Sequence, residues 1–181
     1  MRKAYFLLSF FFLLLSCTNN YKKTDSGNSA RKEVMDIAIK YARDKFNKSK
    51  ESVAQNGVVT ISDSLMNLVT IVDAQLKYVI DPAKIVFGLI DDDTNEDAMI
   101  TVFPSKGQYL EVPEHMILIK SDGKFILNRV IESDMNILGI KERIITAEVL
   151  TRSRNSPLRD CSVCKEVVKF QFRQGNLIRM E

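Results

Sequence analysis

Met116-Ile117-Leu118-Ile119-Lys120-Ser121-Asp122-Gly123-Lys124-Phe125-Ile126-Leu127-Asn128-Arg129-Val130 decides the fold class of this chain. Two apolar runs, 116–120 and 124–130, flank an Asp-Gly pair. Asp-Gly tolerates the left-handed backbone that a two-residue hairpin turn needs, so the pair predicts a hairpin. Tight hairpins join antiparallel neighbours, because parallel strands need a long crossover.

The same pattern continues outward. Downstream, 135–140 and 144–150 flank another turn, and 167–172 and 177–180 flank Gln174-Gly175-Asn176. Upstream, 85–90 and 98–103 flank an acidic loop, and Val58-Val59-Thr60-Ile61 follows Gly57 as a short strand. Residues 64–80 carry two signals. Leu65, Leu68, Val69, Val72 and Leu76 suit a helix, whereas the β-branched runs 69–72 and 78–80 suit strands. We read this segment as strands ending at Pro82.

One stretch breaks the β pattern. Val34, Ile37, Ala38, Tyr41, Ala42 and Phe46 recur at helical spacing over 33–48, with Arg43, Asp44, Asn47 and Lys48 opposite them. An N-terminal amphipathic helix packed on an antiparallel β-sheet is the expected α+β architecture. Residues 33–181 would form that single domain. Residues 18–32 are polar, without apolar period, and read as a flexible tether.

The start of the chain reads Met1-Arg2-Lys3, an apolar run from Ala4 to Leu15, then Ser16-Cys17. Twelve apolar residues are too few to span a bilayer, which takes about 20, but they suit the core of a signal peptide. Leu14-Leu15-Ser16-Cys17 resembles the lipobox of bacterial lipoproteins. That resemblance implies removal of residues 1–16, lipidation of Cys17 and a membrane anchor there. Thr18 follows Cys17 where many inner-membrane lipoproteins carry Asp, so an outer membrane is the expected address.

The formal charge is +3, and loss of Arg2 and Lys3 leaves +1. A balanced charge offers no argument for a nucleic-acid partner.

Asp91-Asp92-Asp93-Thr94-Asn95-Glu96-Asp97 puts five acids in seven residues. Asp91, Asp93, Asn95 and Asp97 stand at alternate positions, a spacing at which oxygens can converge on Ca²⁺. The run from Val86 to Ile100 resembles the strand–acidic loop–strand unit of integrin-type FG-GAP repeats, which implies a Ca²⁺ loop. Leu89 and Thr94 depart from that pattern, and the chain holds one copy. An EF-hand loop would have Gly and Glu where Glu96 and Val102 stand. Two readings therefore stay open, a solvated acidic hairpin loop and a Ca²⁺ site.

Cys161-Ser162-Val163-Cys164 is a C-x-x-C followed by an alternating strand pattern. In an exported protein such a pair reads as a turn-closing disulfide, since a β-turn brings its ends within bonding range. The alternative is a redox pair, which calls for a helix after the first cysteine. His115 is the single histidine and reads as a packed residue beside a strand start. Arg152, Arg154 and Arg159 form a basic loop suited to solvent or to an anionic partner. The chain has no nucleophile elbow, Walker loop or dinucleotide fingerprint.

The reading that results is a non-enzymatic binding or interaction module, lipid-anchored in the envelope, with no required cofactor and an unknown envelope partner. A Ca²⁺-dependent module using 91–97 and a thiol oxidoreductase using Cys161 and Cys164 are the alternatives.

Overall fold

The computed structural model describes residues 23–50, 58–61, 69–72, 76–106, 109–151 and 164–181. The signal-peptide, Cys17, Cys161 and arginine-loop readings lie outside them. The chain forms two units, Met1–Lys32 and Glu33–Glu181. The described part of the first unit is helical.

Helix α1 spans Lys23–Lys50, where sequence periodicity places its start near 33. Residues 23–32 are therefore helix rather than featureless tether. They are polar on all sides and so carry no period, but they contain no proline to stop a helix extending backward. From 33 onward the expected stripe is the buried one: Val34, Ala38, Ala42 and Phe46 are essentially solvent-free.

The described strands form two antiparallel sheets. The larger contains β1 (Val58–Ile61), β2 (Val69–Val72), β3 (Leu76–Ile80), β4 (Val86–Gly88), β5 (Asp97–Lys106), β6 (Tyr109–Leu110), β7 (Glu114–Ser121) and β8 (Lys124–Glu132). Its order is β1-β2-β3-β5-β7-β8, with β4 and β6 also paired to β5. The smaller sheet runs β12-β11-β10-β9, from β9 (Met135–Lys141), β10 (Ile144–Leu150), β11 (Lys165–Arg173) and β12 (Asn176–Arg179). The α+β class and antiparallel pairing agree with the sequence reading, and 69–72 and 76–80 are strands. The expected single sheet is two.

Burial explains the layering. Strand β5 is buried at nearly every position and β7 along its first five residues, on both faces. Met99 and Ile117 pack with Ile90 of the β4–β5 loop and with Met135, Ile137, Ile145 and Ala147 of the smaller sheet. By strand alternation Ile100, Val102, Met116 and Leu118 face the other way, towards α1. There Phe46 meets Tyr78 edge-on at 6.5 Å, and Glu33 Oε1 accepts the Phe125 N–H at 2.9 Å. Lys45 Nζ donates to Glu114 Oε1 at 2.6 Å. The order is helix, large sheet, small sheet.

A corner at Ser133 carries the chain between sheets: its N–H donates to Pro113 O and its carbonyl accepts from Met135. Gly88 lets β4 touch β9, since a Cβ there would lie 2.7 Å from Ile140.

Candidate functional site

The acidic loop joins β4 to β5, at the end of the small sheet where β9 turns into β10. Asp97, the first residue of β5, is fully buried. Its Oδ2 accepts the N–H groups of Ile90 at 2.9 Å and Asp91 at 3.4 Å. Its Oδ1 accepts the N–H of Lys120 on β7 at 2.9 Å. A buried carboxylate with three backbone donors is a structural pin, because each bond offsets the loss of water.

The rest of the loop bonds to itself. Asp91 Oδ1 accepts the Asp93 N–H at 3.0 Å. Asp93 accepts the Asn95 N–H at 2.7 Å and the Asn95 side-chain amide at 2.6 Å. Burial raises the Asp91 pKa, and the charges of Asp97 and Asp93 add to this, against the bond from the Asp93 N–H. The two bonds from Asn95 hold the Asp93 carboxyl below its ordinary value.

The structure therefore brings Asp91, Asp93 and Asp97 together, with one oxygen of each inside a 4.8 Å span. Asn95 uses its amide on Asp93. Three carboxylates at this range can contribute to a cation site.

Sequence reasoning missed Arg143. It lies in the β9–β10 turn, about fifty residues from the loop. Its Nε donates to Asp91 O at 2.6 Å, and its Nη2 donates to Asp92 O at 3.0 Å and Asp93 O at 3.2 Å. The Asp92 carboxylate stands 3.9 Å from Nε.

A groove of about 620 Å³ opens between this loop, the β9–β10 turn and the β11–β12 hairpin. Phe172 and Ile178 supply apolar surface, and Asp91, Asp92, Arg143 and Arg173 line it with charge of both signs. A second groove of about 600 Å³ runs between α1 and the β7–β8 turn. The first one joins the acidic loop to both arginines and is the better candidate.

Other titratable groups are buried or half-buried. His115 has no solvent exposure. Its Nε2 lies 3.0 Å from Ser133 O and so carries the proton, leaving Nδ1 to accept from Thr101 Oγ1 at 2.9 Å. Burial depresses its pKa, against the pull of the Ser133 carbonyl and Asp134. Glu114 Oε2 is buried with no hydrogen-bond partner among the described residues. Burial drives the Tyr41 pKa up to about 12, with Lys45 and Glu114 beside it acting in opposite senses. Burial lowers the Lys45 pKa, but its bonds to Glu114 and Tyr41 outweigh this and leave it raised.

Cys164 is buried and not free, and its carbonyl accepts the Thr151 N–H at 2.8 Å. The residues after it form β11 rather than a helix.

No family model, no curated protein and no solved structure matches this chain.

Proposed function

We propose that this chain is a lipid-anchored envelope lipoprotein whose globular domain is a non-enzymatic binding module, with the groove beside the acidic loop as its binding site. The groove is the observation that carries the reading. Its volume falls within the range of roughly 300–1,000 Å³ usual for ligand sites, and it combines apolar surface with polar groups of both signs. The fate of the titratable groups supports a module that binds rather than reacts. His115 and Asp97 are buried and spent on Thr101 and Ser133 and on backbone N–H groups, and one oxygen of the buried Glu114 is spent on Lys45.

The lipobox ending at Cys17 supports the anchor, and Thr18 supports the outer membrane. The strand that follows Cys164 supports a disulfide to Cys161 over a redox pair, which would use a helix.

Photo-crosslinking groups at Arg173 and Ile178, set against a control at Ile126, test the groove in native envelopes. The reading expects one discrete adduct from the groove positions and none from the control. Equal labelling at all three would contradict it, as would turnover of an envelope substrate by the purified protein.

The convergence of Asp91, Asp93 and Asp97 favours a second reading, a Ca²⁺-dependent module. A cation that binds only the folded state raises the melting temperature. The second reading therefore expects a higher melting temperature in millimolar Ca²⁺ than in chelator, and an unchanged one removes it.

A further inference from the structure

The two-residue turns at 122–123, 142–143 and 174–175 share a left-handed backbone at both positions, and one of them departs from the others in what stands second. Two of them place glycine second, at φ +77° for Gly123 and +76° for Gly175. The β9–β10 turn places Arg143 there, at φ +63°, after Glu142 at +52°. Turns of this kind favour glycine because a Cβ is strained at positive φ. A side chain kept in such a position is explained by what it does.

Arg143 spans three consecutive carbonyl oxygens, those of Asp91, Asp92 and Asp93. The planar, permanently charged fork of arginine suits this bridging, and the single ammonium of lysine does not reproduce it. The segment it grips has five acids in seven residues, whose mutual repulsion needs a nearby positive charge.

We propose that Arg143 is the positioning residue of the groove, a tethered counter-ion that holds the acidic loop in place without a bound divalent cation. This rests on the reading of the groove as the binding site, since the loop is one of its walls. A Ca²⁺ ion takes six to eight oxygens. Here the carbonyls of 91–93 belong to Arg143, and Asp97 belongs to three backbone N–H groups. Both Asp93 oxygens accept from Asn95. The three carboxylates converge, yet five of their six oxygens already accept a hydrogen bond from the protein itself.

The test is thermal melting and amide hydrogen exchange of the detergent-solubilised full chain, in millimolar Ca²⁺ and in chelator, for wild type, Arg143→Gly and Arg143→Lys. Wild type melts at the same temperature in both. Arg143→Gly melts lower by about 3–8 °C despite its relaxed turn, and the amides of 91–97 exchange about tenfold faster or more. Arg143→Lys falls between the two, and keeps the test decisive if the glycine variant fails to fold.

If the guanidinium does nothing, glycine raises the melting temperature by removing strain and the loop amides keep their protection. That result overturns the proposal. A Ca²⁺-dependent rise in the wild type overturns it too, in favour of a metal-held loop. None of these readouts uses a groove ligand, so failure of the crosslinking experiment and failure of this one are separate events.

Discussion

A fully buried carboxylate is costly unless its lone pairs are bonded, and Asp97 meets that condition with three backbone N–H groups. Asp97→Asn keeps the shape but turns an N–H donor towards other donors. We expect a loss of about 3 kcal/mol of stability by denaturant unfolding. His115 gives a pH signature. Burial sets its folded pKa below the unfolded value of about 6.5. Below that pH the unfolded chain gains a proton that the folded chain refuses, so stability falls as the solution is acidified towards the folded pKa. The contribution is at most about 1.4 kcal/mol per pH unit. It should vanish in His115→Gln, and identical slopes below pH 6.5 would contradict the assignment. Spacing picked out Asp97 among the acids, but a one-dimensional pattern shows neither its burial nor its three backbone partners. The sign of Arg143 in the sequence is its place: an arginine stands where the other two turns carry glycine.

At the scale of elements, the strands were legible because turn chemistry and alternation are local. Asp122-Gly123 and Gln174-Gly175 mark their hairpins, and the apolar stripe 34–46 marks α1. Assignment of strands to sheets was not legible. The continuous apolar runs of β5 and β7 mark burial on both faces without saying what covers each, and that information sits in tertiary contacts such as the Ser133 corner and the β4–β9 approach. The helical start at Lys23 was hidden because polar residues on every side show no period. Gly88→Ala tests the β4–β9 contact. Its new methyl would stand 2.7 Å from Ile140 side-chain carbons and 2.8 Å from the Ile140 carbonyl. We expect a cost of about 1–3 kcal/mol, as for overpacked sites. Gly139→Ala, with open space around its Cβ, should lie within about 0.5 kcal/mol of wild type by the same measurement.

For the whole molecule, the middle sheet is covered by α1 on one face and by the small sheet on the other. The small sheet's outer face carries half-exposed Ile178 and the more exposed Val167. No helix among the described residues is long and apolar enough to cross a membrane. In our account attachment comes from Cys17, and the domain presents the groove from there. Intact mass of the protein taken from its own membranes, with and without reduction and alkylation, tests this most directly. The account predicts the mass of residues 17–181 plus acyl chains, with a gain of two hydrogens on reduction from the Cys161–Cys164 bond. An unprocessed chain, or a cleaved chain without lipid, would contradict it.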